Sequence, residues 1–129
     1  METRGIHRHH ILAARILISL VFIISGFIKV SNFSGTVGYI ASIGLPFATL
    51  MTIVAIVFEL GGGLMLIVGW KTKRAAYALI VFTIIATFLV HNILIDSSQM
   101  TSFLKNLAII GGLVLLSESG PGSYSLSRK

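Results

Sequence analysis

Phe58-Glu59-Leu60-Gly61-Gly62-Gly63 sets one carboxylate and three glycines inside the apolar run 47–68. An ionisable group at such a place costs about 2.5–3.5 kcal/mol to insert into a bilayer. It therefore faces other protein or a cavity, and the remaining segments must supply what it faces. The glycines beside it remove side chains where a neighbouring backbone or a flat ligand could come close.

The surroundings of this stretch decide the class. The chain has 129 residues, 55% hydrophobic and 11% charged, with a mean hydropathy of +0.96. So few charges cannot cover the surface of a soluble domain of this size. The expected class is all-α integral membrane, with residues 1–129 as one membrane domain. The net charge of +6 does not indicate nucleic acid, because the basic residues gather at segment ends rather than along one face. The chain has no cysteine, which excludes disulfides, thiolate zinc sites and cysteine-held iron–sulfur clusters. Any redox chemistry must use a diffusible cofactor or a centre in a partner.

Four runs are long and apolar enough to span: about 11–30, 47–69, 75–95 and 101–117. Residues 1–10 and 118–129 read as polar tails. The group His7, His9 and His10 belongs to the first tail and reads as solvated rather than as a metal site. No signal-cleavage pattern follows the first run, so it reads as an uncleaved anchor. Its residues Arg15, Ser19, Phe22, Gly26 and Lys29 step by three and four and share one helix face. In the second run Thr52, Ala55, Glu59 and Gly62 or Gly63 do the same. Thr83, Thr87 and His91 form a stripe on the third, although threonines can satisfy themselves on their own backbone. Lys105, Ala108 and Gly112 share a face of the fourth. Between the first two runs, 35–43 suits a short interfacial helix with Tyr39 at headgroup level, and Pro46 suits the start of the next helix.

Arg4 and Arg8, then Lys71, Lys73 and Arg74, then Arg128 and Lys129 fall on one side of a four-span topology. The opposite loops carry no basic residue. The positive-inside rule then places both termini in the cytoplasm. Lys29, His91, Lys105 and Asn106 lie towards the outer face, Glu59 near the midplane and Arg15 near the inner face. The expected fold is a four-transmembrane-helix bundle whose polar stripes meet inside and open outward.

Glu59 admits three states: neutral, ion-paired with Lys29 or Lys105, or exchanging protons with a ligand. Glu59, His91, Lys29, Lys105, Asn106 and Arg15 are the candidate ligand-binding or proton-handling residues, and Gly61, Gly62 and Gly63 the close-approach glycines. His91 is the one histidine within a span, so bis-histidine haem ligation within the chain is not expected, and no metal site is expected. No phosphate loop, nucleophile elbow or paired metal carboxylates occur, so no catalytic residue is assigned.

Several pieces in order give a wider pattern: Arg15 with Ser25-Gly26-Phe27-Ile28-Lys29, Gly44-Leu45-Pro46, and Glu59 with its glycines. Gly69-Trp70-Lys71-Thr72-Lys73-Arg74-Ala75-Ala76, Phe103-Leu104-Lys105-Asn106, Gly111-Gly112 and Gly120-Pro121-Gly122 continue it. Over about residues 12–127 this resembles the DoxX family of small bacterial inner-membrane proteins. Ser125-Leu126-Ser127 departs from the Ser-Leu-Asp ending common in that family. The resemblance implies a multi-pass inner-membrane protein. Some relatives are associated with quinone-linked sulfur oxidation or redox-protective membrane complexes. Fold transfers better than function in such comparisons. The expectation is a quinone-associated subunit of a membrane oxidoreductase system, with quinone the cofactor. Its partners would be the lipid bilayer, a membrane or redox protein and further copies of the chain. A non-catalytic scaffold or assembly subunit, or a small transporter or proton pathway, is the alternative.

Overall fold

The computed structural model describes residues 4–90 and 97–122. Among them the chain is helical throughout, with no strand. The helices are α1 (Arg4–Ser31), α2 (Phe33–Ser42), α3 (Ala48–Val68), α4 (Thr72–Val90) and α5 (Met100–Ser119), with a 3-10 turn at Ser97–Gln99 before α5. Four stretches, His9–Ser31, Ala48–Val68, Thr72–Val90 and Met100–Ser119, are long and apolar enough to cross a membrane. The short α2 falls where the interfacial helix was expected.

The element boundaries differ from the sequence expectation in instructive places. The first helix begins at Arg4 rather than at 11. An apolar span carries its hydrogen-bonded ladder outward into polar sequence when no proline stops it, because elongation is easier than nucleation. Lys73 and Arg74, expected in a loop, lie in the first turn of α4. The connector is reduced to three residues because α3 ends in a tight glycine cap. Gly69 sits at φ 75°, its N–H donates to the Leu66 carbonyl, and the Trp70 N–H donates to that of Met65. This is the Schellman closure. Pro46 does not open α3 directly, since Phe47 intervenes in a left-handed conformation.

The four spans form a closed ring of antiparallel neighbours, α1–α3–α4–α5 and back to α1. A Cβ added to Gly63 would lie 2.8 Å from Ile23 of α1, and one on Gly62 2.8 Å from Leu79 of α4. α3 thus meets its two neighbours through adjacent glycines. Gly61 has open space before it. At these two glycines it is a helix, not a ligand, that makes the close approach. The α3–α4 seam continues in the stacked rings of Phe58 and Phe82, 5.4 Å between centroids. α4 meets α5 through Thr87 and Asn106 and through Phe88 and Phe103. α5 returns to α1 where a Cβ on Gly112 would meet Ile18 and one on Gly122 would meet Ile11. The described start and finish of the chain therefore share one end of the bundle, the end that also carries Lys71, Lys73 and Arg74. It is called the basic end below, and its opposite the α2 end.

One expected face is corrected. Lys105 and Ala108 are exposed, and the inward face of α5 is Asn106, Ile109, Leu113 and Leu116. A rotation by one residue buries three large apolar side chains and an amide that finds a partner. It leaves the ammonium of Lys105 free to reach outward, where it is solvated at least cost. Gly112, the remaining member of the expected stripe, does take part in packing.

The interior is divided along its length. The apolar core consists of Phe22, Leu66, Ala75, Ala76, Leu79, Leu113 and Leu116, with Ile11, Ala14, Ile18, Met65, Ile80 and Ile109 against it. All of these belong to the half nearer the basic end. The half nearer the α2 end is lined by Ser25, Lys29, Thr52, Glu59, Thr83, Thr87 and Asn106, while Arg15, Ser19, Thr72 and Ser117 are polar residues buried on the basic side. Outside, the spans present large apolar side chains to lipid, among them Leu17, Phe27, Val57, Val81 and Leu115.

Candidate functional site: a polar half-bundle around Glu59

Ser25 and Lys29 are four residues apart on α1 and therefore on one face. Gly26 brings that face against α3: a Cβ there would clash with Leu60 at 2.7 Å and touch the Glu59 Cβ at 3.3 Å. The result is a closed polar ring. The Lys29 ammonium lies 3.0 Å from Glu59 Oε1 and donates to Oε2 at 3.3 Å. It also donates to the Ser25 hydroxyl at 2.9 Å, which in turn donates to Glu59 Oε1 at 3.2 Å. The Glu59 side chain is 9% exposed and that of Lys29 25%. The carboxylate is thus enclosed, while its partner reaches the edge of the bundle. The Lys105 ammonium adds a weaker attraction to the same carboxylate.

A second polar group lies across the ring on α4 and α5. The Asn106 amide donates to the Thr87 hydroxyl at 3.0 Å, and that hydroxyl donates to the Thr83 carbonyl at 2.6 Å. Thr52, on α3, donates to the Ala48 carbonyl. Thr83 is buried like both of these threonines, but its own hydroxyl has no hydrogen-bond partner. Leaving a buried hydroxyl unsatisfied costs about 1–3 kcal/mol. The stacking of Phe58 on Phe82 joins α3 to α4 in this part of the bundle.

The structure brings Glu59 and Lys29 together, with Lys105 nearby at the surface and Asn106 on the facing helices. It does not bring Arg15 to them. Gly26 meets Glu59, so Arg15, earlier on α1, lies about three turns, or roughly 16 Å, further towards the basic end. There it is 1% exposed, and its carbonyl accepts a hydrogen bond from Ser19. Arg15 therefore stands in a separate polar layer. His91 lies outside the described residues. Of the three glycines, Gly62 and Gly63 seat neighbouring helices, and Gly61 faces outward. Sequence reasoning passed over Ser25, which its spacing of four from Lys29 could have revealed. It also treated Thr83 and Thr87 alike, although only Thr87 satisfies itself on the backbone.

Residues 10–92, a stretch that includes α2, α3 and the α1–α3 ring, match the DoxX family. The chain belongs to the DoxX family. This DoxX protein is 37% identical to inner membrane protein YqjF of Escherichia coli K12 over 118 residues, covering 92% of this chain and 89% of that one. It is 36% identical to inner membrane protein YphA of the same strain over 124 residues, again covering 92% and 89%. No solved structure matches it. With four membrane-length helices and inner-membrane relatives, it is a multi-pass inner-membrane protein.

Proposed function

We propose that this DoxX-family protein is a quinone-associated subunit of a membrane oxidoreductase system, with the polar half-bundle as the site of the quinone head group. The observation that carries this reading is the Lys29–Glu59–Ser25 ring, held inside a membrane-spanning bundle yet open to its edge through Lys29. A quinone head is a flat ring bearing two carbonyl oxygens, and it needs hydrogen-bond donors and a route for protons. The Asn106 amide supplies a donor, and the buried Thr83 hydroxyl lacks a partner. When bound, a quinone supplies reversible uptake of two electrons and two protons. Glu59 is the proton-exchanging group of the site. Ser25 and Lys29 orient its carboxylate and compensate its charge. With no cysteine to hold a cluster, electrons come from a partner protein.

The test is binding of a short-tailed 1,4-benzoquinone to the purified full chain in lipid nanodiscs, together with quinone-linked activity in native membranes. Glu59→Gln is expected to weaken both. Absence of binding, with membrane activity unchanged by Glu59→Gln, overturns the reading. One observation favours a scaffold instead: the Lys29–Glu59–Ser25 ring ties α1 to α3 as a pin. A scaffold predicts that Glu59→Gln lowers stability or complex yield and leaves quinone binding untouched.

A further inference from the structure

Three buried threonines, Thr52, Thr83 and Thr87, sit within the polar half of the spans. A threonine in a membrane helix ordinarily turns its hydroxyl back to the carbonyl four residues earlier, because lipid offers nothing else. Thr52 bonds Ala48 in this way and Thr87 bonds Thr83. Thr83 is 4% exposed, and its hydroxyl bonds neither Leu79 nor anything else. Asn106 donates to Thr87, and Thr87 donates to the Thr83 carbonyl, so the polar link between α4 and α5 runs through the Thr83 backbone and leaves its hydroxyl open.

From this we infer that Thr83 is a ligand-binding residue, donating a hydrogen bond to a neutral, carbonyl-bearing head group seated between α3 and α4–α5. Asn106 and Thr87 are its positioning residues. The charge balance selects against an anionic head. Glu59 already engages the nearer cation, Lys29, at 3.0 Å, and Lys105 is exposed, so among the described residues no second buried cation lines this half of the bundle. A phosphate or carboxylate seated there would be buried without a counter-charge. A neutral carbonyl accepts from the hydroxyl without that penalty. This inference rests on reading the polar half-bundle as a ligand site, and it adds the residue and the head-group chemistry that decide what binds.

The experiment uses the full chain in nanodiscs and a short-tailed 1,4-benzoquinone labelled with carbon-13 at its carbonyls. Thr83→Val keeps the shape and removes the hydroxyl. It is expected to weaken binding about tenfold, the size of one lost hydrogen bond, and to move the infrared band of one bound carbonyl up towards its free frequency. Thr83→Ser is expected to restore affinity and band. Thr36→Val on α2, outside the four spans and with its hydroxyl already engaged by the Asn32 carbonyl, is expected to change neither. The thermal midpoint of Thr83→Val without ligand should equal or exceed that of the parent, since an unsatisfied buried group is gone; this separates lost binding from lost folding. If the parent binds and Thr83→Val binds equally with an unmoved band, the inference is overturned while the quinone reading stands. If the parent binds no quinone, both fall.

Discussion

Glu59 is expensive alone and inexpensive in company, and the difference is measurable. With Lys29 removed, a carboxylate 9% exposed would stand without its cation; with Glu59 removed, an ammonium 25% exposed would remain. Breaking a buried pair from one side typically costs several kcal/mol, reduced here by the access Lys29 keeps to the edge of the bundle. Lys29→Met is therefore expected to destabilise by about 2–3 kcal/mol and Glu59→Gln by about 1–2 kcal/mol, in that order because the carboxylate is the more deeply enclosed. The double variant should cost less than the sum. Denaturant titration of the four proteins in mild detergent measures this, and an additive cycle would remove the pair from the account. Sequence alone carried the cost of Glu59 and named Lys29 or Lys105 as partner. It could not choose between them, because the choice depends on how α1 rotates against α3, and that is set by Gly26.

Among the elements, the run Gly61-Gly62-Gly63 is three different sites. Gly61 faces open space, Gly62 faces the flexible end of Leu79, and Gly63 faces Ile23, including its backbone nitrogen at 3.3 Å. A methyl group at each should separate them. Gly61→Ala should be neutral or slightly stabilising, through helix propensity of at most about 1 kcal/mol. Gly62→Ala should cost about 1 kcal/mol, and Gly63→Ala about 2–3 kcal/mol, because overpacking against backbone cannot be relieved by a rotamer change. Unfolding midpoints of the three variants give the ranking directly. The helices themselves were legible from apolar length, and α2 from its short, interfacial composition. The inward face of α5 was not: a pattern of Lys105, Ala108 and Gly112 looks as good on a wheel as Asn106, Ile109 and Leu113. Only the partner surface, with Thr87 ready to accept from Asn106, decides between them.

At the scale of the molecule, the ring of spans puts the described start and finish of the chain at the basic end. Seven basic residues lie beyond or at that end in sequence, and positive charge is retained on the cytoplasmic side. The cysteine-free chain makes the orientation easy to read. A cysteine at Ser42, in exposed α2, should react with a membrane-impermeant maleimide from outside the inner membrane. One at Lys71 should react only after the membrane is opened, and the reverse pattern would invert the topology. The gathering of the apolar cluster towards the basic end and of the Glu59 network towards the α2 end was hidden at this scale, because every span contributes to the interior at both ends.

The ion pair also bears on the order in which the molecule is made. α1 leaves the ribosome first, carrying Lys29 near its end, and α3 follows with Glu59. Neither charge suits lipid by itself, but the two lie on adjacent antiparallel helices joined by residues 32–47, which include α2. A hairpin of α1 and α3 with the Gly26 contact closed would present the bilayer with a paired charge in place of two separate ones, so entry of the residue hardest to insert would depend on the span made before it.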